Sequence, residues 1–310
     1  MGLSGISVDM KITEDFVREH LPKIKTEYNK FDRGRLLLIA GSYGMAGAAI
    51  LAARASLRTG VGYPNLAVPR DIYELMTVAV PECVFTVYDS PEDLLPAIGK
   101  ANAVAIGPGL SETAGAYLEF VLKHCEKPLL IDATGLRMLS ETGGRVPGFI
   151  TGDETTTPSP GFMPRENLVL TPHEGEMGRL LGISSADVRE NREEAVKKAQ
   201  ALYGGTVLLK GAGTLVYDGK ELLQNTTGNP GMAVAGSGDV LTGIIGALLA
   251  AGASPRDAAA MGAFIHGKSG DLAALRLGTR SCRPEDFIAE IPAVLKAVEA
   301  FPGREGGKDE

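Results

Sequence analysis

From Arg35 to Asn225 the chain alternates short, almost wholly apolar runs with longer stretches of helical spacing. The apolar runs are RLLLIA, VGYPNLAVP, ECVFTVY, ANAVAIG, PLLIDA, NLVLTP, TVLLKG, TLVYDG and ELLQN. Most are continuous rather than alternating in polarity, the pattern of strands covered on both faces. Between them AAILAARASLRTG, ETAGAYLEFVLKHC and ADVRENREEAVKKAQALY read as helices, the first ending at Gly60. This rhythm predicts an α/β fold, a mainly parallel central sheet with helices on both faces. TLVYDGKELLQN predicts a hairpin through Asp218-Gly219 and so a short antiparallel part.

Before this rhythm, the segment after Thr13 (EDFVREHLPKIKTEYNKF) predicts a helix with acids in its first turn, so residues 1–30 read as a helical extension. Residues 31–303 read as one domain and 304–310 as a disordered tail. The Gly-, Thr- and Pro-rich stretch from Ser140 to Glu166 reads as an excursion, because the strand–helix rhythm resumes unchanged after it.

Composition narrows the class without naming a reaction. The 310 residues are 44% apolar and 22% charged, with net charge −7 and no long basic run, which argues against nucleic acid as a partner. Cys83, Cys125 and Cys282 are scattered with no CxxC, as in a cytoplasmic protein with reduced thiols. The N-terminus has no signal-peptide pattern, and the apolar stretch from Val240 to Ala253 is too short to span a bilayer. Neither membrane attachment nor export is expected. The 40 glycines suggest tight turns and close approaches of backbone to ligand.

Ligands of open α/β sheets bind at the carboxyl ends of the strands. There this sequence places GSYGMAG, GPGL, DATGL, TPHEGE and KGAGT, with GNPGMAVAGSGD after the hairpin. In GSGD, the backbone N–H groups of Gly236, Ser237 and Gly238 open an apolar helix and would form an anion site beside Asp239. Asp239 is then either a helix cap or a base taking a proton from a hydroxyl that attacks phosphorus. GSYGMAG is GxxGxxG, not the dinucleotide spacing, but its small residues would let a flat ligand lie on the backbone. His173 and Glu176 of TPHEGE lack the further ligands a zinc site needs, so helix capping or a water-mediated Mg²⁺ contact remain as readings. Asp132 is a catalytic candidate or a cap, and His266 reads as packing.

Taken in order, GSYGMAGAAILAARASLRTGVG, AIGPGL, LLIDATGL, LVLTPHEGEMGRLLG, TVLLKGAGTLV, GNPGMAVAGSGDVLTGIIGALLAAG and IHGKSGDLAA resemble the ADP- or ATP-dependent NAD(P)H-hydrate dehydratases over residues 30 to 295. That carbohydrate-kinase-like family of nicotinamide repair has the ribokinase-like fold. The resemblance implies a reaction in which the C6 hydroxyl of the S epimer of hydrated NADH or NADPH is phosphorylated and phosphate is then eliminated. It implies Asp239 as catalytic base and Gly236, Ser237 and Gly238 as anion hole. Ala48, Gly109, His173 and Asp239 would contact the hydrated cofactor. Lys210, Gly211, Ala212, Gly213, Thr214 and Gly238 would contact the adenine nucleotide, ADP or ATP. Glu176, in the place of the glutamate of the superfamily's Asn-x-x-Glu motif, would serve Mg²⁺. His173 stands in the place of the asparagine.

The resemblance also implies a homotetramer, and a separate epimerase for the other epimer, since residues 1–30 are too short for the companion domain fused in many relatives. The Ser140–Glu166 excursion is longer than expected, and Ala235 stands where many relatives have glycine. Two other readings use the same loops: a thiazole or pyrimidine alcohol kinase of the same fold, and a nucleotide-binding module without turnover.

Overall fold

A computed structural model describes residues 8–24, 27, 29–141 and 165–299. Its strands are β1 (Met10–Ile12), β2 (Arg35–Ile39), β3 (Tyr63–Pro69), β4 (Val84–Tyr88), β5 (Ala103–Ile106), β6 (Leu129–Ile131), β7 (Leu168–Leu170), β8 (Thr206–Leu209), β9 (Leu215–Tyr217) and β10 (Leu222–Asn225). The helices are α1 (Glu14–His20), α2 (Ala46–Thr59), α3 (Tyr73–Ala79), α4 (Leu95–Lys100), α5 (Gly115–His124), α6 (Thr134–Glu141), α7 (Glu174–Leu181), α8 (Ser185–Glu190), α9 (Arg192–Tyr203), α10 (Ser237–Ala250), α11 (Pro255–Leu277) and α12 (Pro284–Val298).

One sheet runs β1-β10-β9-β8-β7-β6-β5-β2-β3-β4. Within it only β9 is antiparallel to its neighbours, β8 and β10. Successive strand residues feed opposite faces. Leu36 and Leu38 of β2 pack with α2, α10, α11 and α12, whereas Leu37 and Ile39 pack with α4, α5, α6, α7 and α9. Burial on both sides explains why the strands read as unbroken apolar runs. Gly243 lets α10 lie against α2: a Cβ there would fall 2.2 Å from the Ala52 carbonyl oxygen.

The amino-terminal segment departs from the expected helical extension. Its described residues include a strand, β1, that joins the sheet edge in parallel beside β10. Helix α1 stops at His20, because Leu21 (ψ 126°) turns extended ahead of Pro22. The expected helix over 186–203 is two, α8 and α9, separated at Asn191 (φ −126°, ψ 51°). The expected tail, and residues 142–164 of the expected excursion, lie outside the described residues.

What matters for the site is the carboxyl edge. Strands β2, β5, β6, β7 and β8 are parallel neighbours, and the ladder of hydrogen bonds continues past their ends. Gly41 N–H bonds Pro108 O at 2.8 Å, Asp132 N–H bonds Ile106 O at 3.1 Å, and Lys210 N–H bonds Pro172 O at 2.9 Å. These bonds set the glycine-rich loops side by side along one edge.

Candidate active site

Helix α10 begins at Gly236, its N-cap, which takes the left-handed conformation (φ 90°) that glycine adopts without strain. Asp239 is therefore the third helical residue and not the cap. No side-chain capping hydrogen bond forms at this helix start. The N–H groups of Gly238 and Asp239 lack intrahelical acceptors, as at any helix start, and the helix dipole favours negative charge there. The turn could therefore serve as an anion cradle, with a carboxylate on its rim.

Asp132, at the end of β6, lies beneath this turn with 1% of its surface exposed. Its Oδ1 accepts from Lys210 Nζ at 2.8 Å, and its Oδ2 accepts from the buried Thr242 hydroxyl at 2.7 Å. Lys210 Nζ also stands 3.6 Å from Glu176 Oε2. The ammonium presses against α10: a Cβ on Gly238 would fall 3.4 Å from Lys210 Nζ and 3.8 Å from Asp132 Oδ2. Burial opposes the Lys210 charge, but Asp132, Glu176 and Asp239 outweigh it and hold the ammonium above its usual range. Burial, reinforced by the Asp132 charge and opposed by Lys210, pushes the Asp239 carboxyl up to about 6. A base is most effective when its pKa is near the working pH.

Backbone constraint concentrates at Asp132. Ala133 has φ 48°, the one positive-φ residue other than glycine among the described residues. Gly107 (φ 136°) passes so close that a Cβ there would fall 1.8 Å from the Asp132 carbonyl oxygen. Strain of this kind costs about 1–3 kcal/mol and gathers where position matters.

His173 is the N-cap of α7. Its Nδ1 accepts from Gly175 N–H (2.9 Å) and Glu176 N–H (3.3 Å), while Glu176 Oε2 accepts from His173 N–H (2.8 Å). This is a capping box with imidazole in place of the usual hydroxyl. Because Nδ1 accepts twice, the ring proton is assigned to Nε2, which lies 3.5 Å from Glu176 Oε1 on an exposed side chain. Behind β8, buried Arg192 donates to Glu174 Oε1 (3.0 Å) and to Leu209 O (3.2 Å). It backs the KGAGT loop, in which a Cβ on Gly211 would fall 2.9 Å from the guanidinium.

On the far side of the edge, Ala48 and Gly109 meet: a Cβ on Gly109 would fall 2.8 Å from the Ala48 methyl and 2.6 Å from Met45 O. Ser42 Oγ donates to Gly109 O at 2.8 Å and ties the two loops. The GNPGM loop is seated on α11, where Asp271 accepts from Gly228 N–H and Asn229 Nδ2, each at 3.0 Å. Also on α11, His266 Nε2 lies 3.3 Å from Ser237 Oγ. Burial and the nearby Lys210 charge, against the Ser237 bond, lower His266 to about 4, so its ring is neutral at neutral pH.

A family model described as NAD(P)H-hydrate dehydratase matches residues 36–293, the span that supplies every loop of this edge. The chain belongs to the NAD(P)H-hydrate dehydratase family. It is 38% identical over 276 residues to the ADP-dependent (S)-NAD(P)H-hydrate dehydratase of Neisseria meningitidis, covering 87% of this chain and 88% of that one. It is 39% identical over 302 residues to the bifunctional NAD(P)H-hydrate repair enzyme Nnr of Moorella thermoacetica, covering 93% of this chain and 54% of that one. The chain thus spans about half the length of that bifunctional relative. The ADP/ATP-dependent NAD(P)H-hydrate dehydratase from Bacillus subtilis, co-crystallized with ATP/Mg²⁺, superposes with a TM-score of 0.77 at 27% identity, covering 94% of this chain and 99% of that one. The ribokinase-like fold expected from the resemblance is the fold observed.

The expected site residues fall into three places. Ala48 and Gly109 form one wall. Gly236, Ser237, Gly238 and Asp239 form the start of α10 with Lys210 against it; Glu176 reaches Lys210 at 3.6 Å and shares the capping box with His173. Gly211 to Thr214 form a loop at the end of β8. Among the described residues no group of three His, Cys, Asp or Glu is arranged to hold a metal ion. The donor set fits a Mg²⁺ carried largely by phosphate and water, with one carboxylate assisting, and not an ion caged by protein. Glu176 would be that carboxylate; its Oε2 accepts from His173 N–H and lies 3.6 Å from Lys210 Nζ, and its Oε1 lies 3.5 Å from His173 Nε2.

Sequence reasoning missed Thr242, Arg192 and the contact of His266 with Ser237. Thr242 had a signal, since it lies one helical turn beyond Asp239 and so near the same face. The other two had none, because both contacts join elements distant in sequence.

Proposed function

We propose that this chain restores NADH and NADPH from the S epimer of their C6 hydrates, with ADP or ATP as phosphoryl donor. The observation that carries the reading is Asp239, a half-buried carboxylate with a raised pKa on the rim of an anion cradle. In this reading Asp239 takes the C6 hydroxyl proton as that oxygen bonds the terminal phosphorus and the bridging P–O bond of the nucleotide breaks. The C6–O bond then breaks, phosphate leaves with the electron pair, and loss of a proton from C5 restores the C5–C6 double bond. AMP is released from ADP, or ADP from ATP.

The N–H groups of Gly238 and Asp239 receive the phosphoryl oxygens at a turn that Gly236 and Ser237 shape, the Ser237 N–H itself being held by Val234 O at 3.3 Å. Ala48 and Gly109 offer a smooth wall to the nicotinamide ring, and His173 Nε2–H donates to the hydrate. Gly211 to Thr214 receive the adenine nucleotide. Glu176 would help hold a phosphate-bound Mg²⁺, which would supply neutralisation of phosphate charge. Family membership and the loop geometry support these roles. A homotetramer in the cytoplasm is proposed on resemblance alone, and sedimentation in solution measures the assembly.

Incubation with NADH hydrate and ADP, beside thiazole and pyrimidine alcohols with ATP, tests the reading. Return of dihydronicotinamide absorbance supports it. Phosphorylation of the vitamin alcohols without that return would overturn it in favour of the kinase reading.

A further inference from the structure

Lys210 is the first residue of the KGAGT loop, yet its side chain leaves that loop. The ammonium turns beneath α10, with 19% of the side chain exposed, and is bound by Asp132 at 2.8 Å. Three carboxylates, Asp132, Glu176 and Asp239, influence this one ammonium. A phosphoryl group entering the cradle brings further negative charge into a half-buried space, where repulsion is poorly screened. Arg192 is turned away to Glu174 and the Leu209 carbonyl. Lys210 is thus the cation placed to offset that charge.

Asp132 is held from four sides. Thr242 binds one oxygen and Lys210 the other, Gly107 lies against its carbonyl, and the Ala133 backbone beyond it takes a costly conformation. Thr242 and Asp239 share α10, so Asp132 fixes the ammonium relative to the helix that carries the base. An ion pair serving the fold alone needs neither the strained backbone nor a position under an anion cradle.

We propose that Lys210 is a catalytic residue, contacting the transferring phosphoryl group rather than serving the adenine nucleotide as part of its loop. In the same proposal Asp132 is the positioning residue that aims it. The inference rests on the phosphoryl-transfer reading above. It fixes which oxygens the ammonium serves: those of the phosphorus that the hydrate hydroxyl attacks, where charge builds in the transition state.

The test uses the full chain with NADH hydrate and ADP, and compares wild type with Lys210→Met, Lys210→Arg and Asp132→Asn. Calorimetry measures ADP affinity and thermal melting confirms folding. Lys210→Met is expected to lower kcat about 100- to 1,000-fold, the effect of removing one transition-state donor, with ADP affinity changed less than about threefold. Lys210→Arg is expected to recover part of kcat. Asp132→Asn keeps an acceptor for Thr242 but frees Lys210, so kcat falls at least about tenfold. Its acid limb also moves to lower pH, because the Asp132 charge that raises the Asp239 carboxyl is gone. It is the fall in kcat at unchanged ADP affinity that separates positioning from a merely structural role. Folded Lys210→Met with near-normal kcat and ADP affinity weakened more than tenfold would overturn the proposal and return Lys210 to the nucleotide loop. Should Asp132→Asn fail to fold, the two Lys210 variants decide. A wild-type chain inactive on the hydrate would instead remove the reaction reading and the proposal with it, and that result precedes any variant.

Discussion

The Thr242 hydroxyl donates to Asp132 Oδ2 at 2.7 Å, tying the helix that carries Asp239 to the end of β6. Both side chains are buried, at 0% and 1% exposure, so water cannot replace the bond if it is lost. Thr242→Val keeps the shape and strands the carboxylate oxygen, which costs roughly 1–3 kcal/mol. Chemical denaturation should show that loss, while Thr242→Ser, which keeps the hydroxyl, stays within about 1.5 kcal/mol of wild type.

Asp239 sits where a charge is costly to the fold. Its folded pKa, about 6, lies above the ordinary carboxylate range, so the folded state holds the proton more tightly than the unfolded chain does. The stability this group contributes is complete at low pH, below its unfolded pKa. It is lost as pH rises through the folded value. Asp239→Asn should therefore stabilise the protein at pH 8 by roughly 1–3 kcal/mol and change it little near pH 4. Melting curves at the two pH values measure the difference.

The same carboxyl sets the acid limb of activity. A base must be unprotonated, so kcat/KM should fall about tenfold per pH unit below about 6. Asp132 raises this value and Lys210 lowers it. His266, near Lys210, is neutral throughout that range and should contribute no second limb there. A pH–rate profile from pH 4.5 to 8 checks the position of the limb.

Gly107 is the tightest point in the support of Asp132. Gly107→Ala would force a Cβ against the Asp132 carbonyl at a backbone angle that alanine avoids, costing about 3 kcal/mol or more. Gly99 in α4 has no heavy atom near such a Cβ, so Gly99→Ala should stabilise by roughly 0.5–1 kcal/mol. Parallel denaturation of the two variants separates a crowded site from a general intolerance of alanine.

Most strands from β2 to β10 were legible because burial on both faces writes them as continuous apolar runs, whereas β4, a half-exposed edge strand, showed through its β-branched and aromatic residues. Asp218-Gly219 marked the hairpin through turn chemistry alone. Strand β1 was not legible: three residues at a sheet edge give no periodicity to read, and its parallel pairing with β10 is set by tertiary packing. The convergence of the loops on one edge followed from chain topology, so the neighbourhood of the site was foreseeable. Its interior was not. Whether Asp239 caps its helix depends on where the helix begins, and by sequence the helix could open at Asp239 itself. The structure begins it at Gly236, which leaves the carboxylate free. The HxxE spacing of His173 and Glu176 left capping and metal binding open, and the observed bonds form a capping box. The direction of the Lys210 side chain depends on Asp132, a partner 78 positions away, beyond any local pattern.

The central claim is that Asp239 acts as a base beside an anion cradle and does not serve merely to start a helix. Wild type and Asp239→Asn, both shown to be folded, should be given NADH hydrate and ADP while dihydronicotinamide absorbance and AMP are followed together. Wild type is expected to restore NADH and release AMP in equal amounts. The variant should bind ADP with similar affinity and turn over at least about 100-fold more slowly, as expected for loss of the general base. Undiminished turnover by a folded Asp239→Asn protein would contradict the account.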